Sequence, residues 1–222
     1  MFQALHDLRA GCVFGHTASV RPQRDGEPVA ITDLFHQGHS DHDIVRADRL
    51  CRLLHAASYH ANAQRNTRLL VPVHARLLET VTASHGLAYR EALEEAGLNH
   101  APIVVCLPDP SHLRTMSLGY LIGSYRLHGF EIAVRLRDAR NLPDLLARTR
   151  PTYVLVDHQE YAGEPARMAA AVKMAETAGT RTVFLKIETA EEAARVRAAG
   201  ATLAQGYYFD RPAAEPAGSA CD

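Results

Sequence analysis

The chain of 222 residues is 47% apolar and 22% charged, an ordinary globular composition with enough length to bury a core and no call for disulfide staples. A formal net charge of −1 gives no basic footprint, which excludes extended nucleic-acid binding. No signal peptide and no run of about 18 apolar residues appears, so the expected setting is the cytoplasm, with no membrane partner.

In chain order, "FQALHD" and "CVFGHTASV" flank the turn "LRAG" and read as two strands of a hairpin. The segment from about Ile44 to Ala63 is helical. Short apolar runs rich in β-branched residues then recur at 68–74, 102–107, 130–136, 152–157, 181–187 and about 202–206. They lack strict alternation, the mark of parallel strands buried on both faces. Helical patterns at 112–128, 141–149, 164–178 and 189–199 separate them, the last capped by Thr189 and closed by Gly200. A hairpin followed by about six βα units predicts one domain: an α/β barrel with one antiparallel strand near its start. The small-residue stretch 213–222 predicts a flexible tail. Cys12, Cys51, Cys106 and Cys221 are scattered without CxxC spacing, and the simplest expectation is four reduced thiols.

Near the end stands "LAQGYYFDRP", residues 203–212. In a parallel barrel, functional groups gather at the C-terminal ends of strands, and Gly206 at such an end permits a close backbone approach. Tyr207, Tyr208 and Phe209 either border a site there or plug the barrel mouth.

The stretch 188–212, "ETAEEAARVRAAGATLAQGYYFDRP", resembles the end of an EAL domain, the bacterial phosphodiesterase family that hydrolyses cyclic dimeric GMP. Its pattern there is "EGVET", a helix, "G", then "QGYYFSRP". Four other segments are similar in family order: residues 2–22 to "QPIVDLxTGxVxGxEALxR", "LVPVHARLL" to "VNLSxxxL", "GFEIAVRL" to "GxxIALDDFG" and "PTYVLVD" to "DYLKID". The resemblance spans roughly residues 2–212 and implies a modified (βα)8 barrel.

Family chemistry uses paired divalent cations held by carboxylate and amide oxygens at strand ends. Here the Glu-Ala-Leu triplet falls on Thr17, Ala18 and Ser19, the asparagine of "VNLS" on Pro72, and the next strand-end glutamate on Cys106. The aspartates of "DDFG" fall on Arg135 and Leu136, or, with the register slid by two, Asp138 is kept. The lysine of "KID" becomes Leu155 with Asp157 kept, and the first glutamate of "EGVE" becomes Leu185 with Glu188 kept. The resemblance thus implies a degenerate member with no metal, no cofactor and no hydrolysis. Such members work through protein partners. The alternative is a dead receptor for cyclic dimeric GMP, with Arg21, Arg135, Asp157, Glu188 and Gln205 as candidate nucleotide-binding residues.

Two further features stay open. His36, His39 and His42 in "HQGHSDHD" have a spacing that suits Zn²⁺ or Ni²⁺, or form a solvated loop. The helix around Met116, Leu121 and Tyr125 is core packing or the face of a homodimer.

Overall fold

The computed structural model describes residues 1–30, 33, 35, 40–62, 66–81 and 84–221. The described residues form the strands β1 (Phe2–Asp7), β2 (Cys12–Ala18), β3 (Gln23–Arg24), β4 (Glu27–Pro28), β5 (Arg68–Pro72), β6 (Ile103–Leu107), β7 (Glu131–Leu136), β8 (Tyr153–Asp157), β9 (Arg181–Leu185) and β10 (Leu203–Ala204). The helices are α1 (Asp41–Asn62), α2 (Ala75–Thr80), α3 (His85–Glu95), α4 (Leu118–Leu127), α5 (Leu142–Arg148), α6 (Pro165–Thr177) and α7 (Ala190–Ala198).

Eight strands close into a barrel in the order β1-β10-β9-β8-β7-β6-β5-β2, while β3 and β4 form a separate ribbon. Within the barrel the antiparallel strand is β1, which pairs antiparallel with both β2 and β10. The remaining barrel contacts are parallel. The (βα)8-like barrel with one antiparallel strand near the N-terminus is therefore the observed architecture. Its strands read as continuous apolar runs because both faces are covered. Leu5, Leu70, Val104, Ala133, Leu155, Val183 and Leu203 fill the interior. Ile132, Val134, Val154 and Phe184 pack outward in a larger core with helix residues such as Leu121, Met168 and Val196.

Local sequence sets several element ends. Thr189 Oγ1 accepts from the Glu192 amide at 3.2 Å, and Glu192 Oε2 accepts from the Thr189 amide at 3.1 Å. This capping box starts α7, and Gly200 at φ 89° follows its last turn. The helix expected from residue 112 begins only at Leu118. Asp109 instead caps the 3-10 turn Pro110–His112, and Leu113 is extended. Two helices, α2 and α3, fill the interval between β5 and β6, where no helical pattern had been singled out. Among the described residues, no helix is long and apolar enough to cross a membrane.

The expected flexible tail is instead docked. Phe2 and Ala213 exchange backbone hydrogen bonds at 2.7 and 2.8 Å, the Val13 amide donates to Ser219 O at 2.8 Å, and His16 Nε2 meets Ala217 O at 2.8 Å. Cys12 and Cys221 form a disulfide across 209 residues, so the expectation of four thiols fails; Cys51 and Cys106 alone stay free. Spacing hides this pair, because tail docking along β2 is what brings the sulfurs together. His36 and His39 lie outside the described residues, and His42 is exposed in the first turn of α1.

A cross-link closing so long a loop restricts the unfolded chain strongly. Reduction, or Cys12→Ser, is expected to lower stability by about 2–5 kcal/mol, read by urea unfolding with and without reductant. Superimposable curves would contradict the tethered tail.

Candidate functional site at the barrel mouth

The inward-facing positions at the C-terminal ends of the strands come from alternation along each strand. Arg135 follows the inward Ala133 by two residues, Asp157 follows Leu155, and Leu185 follows Val183. Pro72 lies beside Cys106 in register, Arg135 beside Leu155, and Asp157 beside Leu185. A cavity of about 300 Å³ opens there, lined by Gln3, Arg135, Leu185, Lys186, Glu188, Gln205, Gly206 and Tyr207.

Three of the five expected nucleotide-binding residues, Arg135, Glu188 and Gln205, thus meet at one cavity. Arg135 is exposed and has no ion-pair partner among the described residues. Glu188 is exposed, and its backbone amide donates to Glu192 Oε2 at 2.7 Å. Gln205 is only 7% exposed. Its Nε2 faces Gln3 O at 2.9 Å, Thr17 Oγ1 at 3.1 Å and Ala4 O at 3.3 Å. Its amide donor is therefore committed to the seam of the barrel and not to a ligand.

Asp157 borders the mouth but turns to Lys186, whose Nζ lies 2.6 Å from Oδ2. Burial pushes this carboxyl up, yet the Lys186 and Gln159 hydrogen bonds outweigh it and hold the group below its ordinary range. Arg21 is exposed and does not line the cavity, so the structure does not bring it to the other candidates. Asp138 caps a 3-10 turn and pairs with Arg140 at 2.8 Å, away from the cavity lining.

Lys186 is the residue sequence reasoning missed. It stands at the second position of the "EGVE" pattern, and its φ of 61° is a left-handed value that favours glycine. That mismatch with the pattern was its available signal. Gly206 is required for a different reason: a Cβ there would fall 2.0 Å from Ile187 O and 2.3 Å from Ile187 N. The aromatics after it do not plug the barrel. Tyr207 and Tyr208 are 52% and 43% exposed at the rim, while Phe209 stacks on His6 with centroids 4.8 Å apart.

The donor set does not fit a pair of hard cations. Thr17 Oγ1 accepts from Gln205, Pro72 offers no side-chain oxygen, and Leu185 is apolar. Cys106 is a buried thiol, pushed up to about 12 by desolvation despite the nearby Arg135, and so stays neutral. Among the described residues, no group of three His, Cys, Asp or Glu side chains is placed to hold a metal ion.

The family model for the EAL domain matches residues 1–212. The chain belongs to the EAL domain family. Solved EAL structures share its fold. Klebsiella pneumoniae BlrP1 in a manganese and cyclic-diGMP complex superposes with a TM-score of 0.82 at 20% identity, over 98% of this chain and 56% of that one. A standalone EAL protein from Vibrio cholerae O395, in its c-di-GMP-bound form, gives 0.77 at 20% identity, over 98% of this chain and 94% of its own. Bacillus subtilis YkuI, in complex with c-di-GMP and calcium, gives 0.76 at 19% identity over all of this chain and 55% of that one. The chain thus spans little more than half of BlrP1 and of YkuI. No curated protein matches it.

The left-handed conformation at Lys186 yields a comparison in which the ion pair cancels, since neither variant keeps it. Lys186→Gly is expected to be about 1 kcal/mol more stable than Lys186→Ala, measured by denaturant unfolding. Equal stabilities, or a more stable alanine variant, would contradict the assigned backbone.

Proposed function

We propose that this EAL-family chain is a non-enzymatic regulatory domain in bacterial signalling, acting through contact with a protein partner and not by hydrolysing cyclic dimeric GMP. One observation carries the reading: at the strand ends where two-metal phosphodiester hydrolysis needs several carboxylates, this barrel presents Thr17, Pro72, Cys106, Arg135 and Leu185. The acids nearby do not make up the deficit. Asp157 is engaged by Lys186, Asp138 by Arg140, and Glu188 stands alone in the cavity wall. A guanidinium and an ammonium at the mouth repel a divalent cation. A barrel kept intact while its chemistry is replaced presents surface to a partner.

A second reading rests on those same cations. Arg135 and Lys186 on the mouth cavity offer charge-assisted hydrogen bonds to phosphate, and a receptor for cyclic dimeric GMP would use them in place of metal ions. The apolar Leu185 and the committed Gln205 amide weigh against it.

The two readings separate in a paired experiment, a pull-down from native cells with and without excess cyclic dimeric GMP, beside calorimetric titration of the nucleotide into purified protein. A stoichiometric partner that survives the nucleotide, with flat heats, is the expected result. Micromolar or tighter nucleotide binding with no captured partner would reverse the order.

A further inference from the structure

The mouth cavity carries two opposite charges that the protein leaves unjoined. Arg135, near the end of β7, and Glu188, just past the end of β9, both line it, and both side chains are exposed. Among the described residues neither has an ion-pair partner, and they do not pair with each other. The third charged group on the wall, Lys186, is held by Asp157 at 2.6 Å. What the cavity offers is therefore one free guanidinium and one free carboxylate. A single unpaired charge on an open surface is ordinary; two of opposite sign on one concave wall form a recognition pattern.

The wall between them is fixed and partly apolar. Leu185 lines it, and Gly206 lies so close to Ile187 that no side chain fits between them. The Gln205 amide is tied to Gln3 O, Ala4 O and Thr17 Oγ1. Tyr207 stands at the rim with the Arg211 guanidinium 5.1 Å from its ring centroid, a cation–π contact that steadies the ring. A volume of about 300 Å³ stands at the lower end of the range of about 300–1,000 Å³ typical of small-molecule pockets. Size therefore favours a small ligand.

Charge selects its class. A simple anion meets Arg135 but brings its charge toward Glu188, and a dianion fares worse. A simple cation meets Glu188 and is repelled by Arg135. A zwitterion satisfies both: its carboxylate takes the guanidinium fork, and its ammonium donates to the Glu188 carboxylate. Leu185 and Tyr207 then offer contact to an apolar side chain.

We infer that the barrel mouth binds a free amino acid with an apolar or aromatic side chain, its carboxylate on Arg135 and its ammonium on Glu188. This inference rests on the reading of the mouth as one that holds no metal pair, and it gives that mouth a small-molecule input beside the protein partner.

The probes are leucine and phenylalanine, each beside its N-acetyl form, which keeps only the carboxylate, and its amide form, which keeps only the ammonium. They are titrated into the purified 222-residue chain with chelator present, at about pH 6, where carboxylates are ionised and an α-amino group is protonated. Calorimetry and ligand-detected NMR report binding. At least one free amino acid is expected to bind, and both of its blocked forms to bind about tenfold or more weaker. Arg135→Gln is expected to abolish the preference over the amide form and to keep the preference over the N-acetyl form; Glu188→Gln is expected to do the reverse. Both side chains are exposed, so the variants are expected to unfold thermally as the wild type does, and the comparison of free with blocked forms on the wild type stands without them. Flat titrations with both amino acids, blocked forms that bind as well as the free ones, or folded variants that keep both preferences would overturn the site. A parallel incubation with Mn²⁺ and cyclic dimeric GMP separates the two levels. Hydrolysis there overturns the reading of the mouth itself, whereas flat amino-acid titrations without hydrolysis overturn the amino-acid site alone.

Discussion

Closure of the barrel depends on a short seam. β10 contributes two residues, and β1 meets it at two positions, His6 with Ala204 and Asp7 with Leu203. So little ladder cannot hold eight strands closed unaided. The Gln205 amide adds contacts to Gln3, Ala4 and Thr17, and Gly206 lets the chain pass against Ile187 at a separation no side chain permits. The amides of Ile187 and Tyr208 then bond across this crossing, to Gln205 O and Ile187 O. "QGYYF" is therefore a closing device of the fold.

That role explains how one segment stays close to the family pattern while Thr17, Pro72, Cys106 and Leu185 differ from it. Thr17 illustrates the exchange. A hydroxyl at the place of the family's ligating glutamate no longer supplies charge to a cation, but it receives the Gln205 amide and joins the seam. Lys186 brings a cation to Asp157 at the cost of a left-handed backbone conformation. Thr17 and Asp157 are both turned toward internal pairing, the first by Gln205 and the second by Lys186. Beneath the helices the reverse holds: Arg52 Nη1, His85 Nε2, Tyr89 Oη and Tyr125 Oη are buried with no hydrogen-bond partner among the described residues.

The strands were legible because strands buried on both faces must be apolar throughout, and β6, buried along its whole length, shows it most plainly. The cap of α7 was equally plain, since a capping box is a local hydrogen-bond pattern written in adjacent residues. α2 and α3 were not: "ARLLET" is a single short turn pair and "HGLAYREALEE" opens on a histidine and a glycine. At the mouth, Arg135, Glu188 and Gln205 were legible because strand alternation and motif spacing fix their positions. Arg21 was misplaced because it follows β2 on an exposed stretch whose path no periodicity dictates. The Cys12–Cys221 link and the docked tail depend on contacts between the two ends of the chain, which no local pattern encodes.

The claim on which the functional reading stands is that this mouth does not assemble a hydrolytic metal pair. Turnover of cyclic dimeric GMP by the purified 222-residue chain, with saturating Mn²⁺ or Mg²⁺ and an active EAL enzyme as control, tests it most directly. A non-catalytic mouth predicts linear dinucleotide at the level of the protein-free blank. Metal-dependent accumulation of linear product in proportion to protein concentration would contradict it.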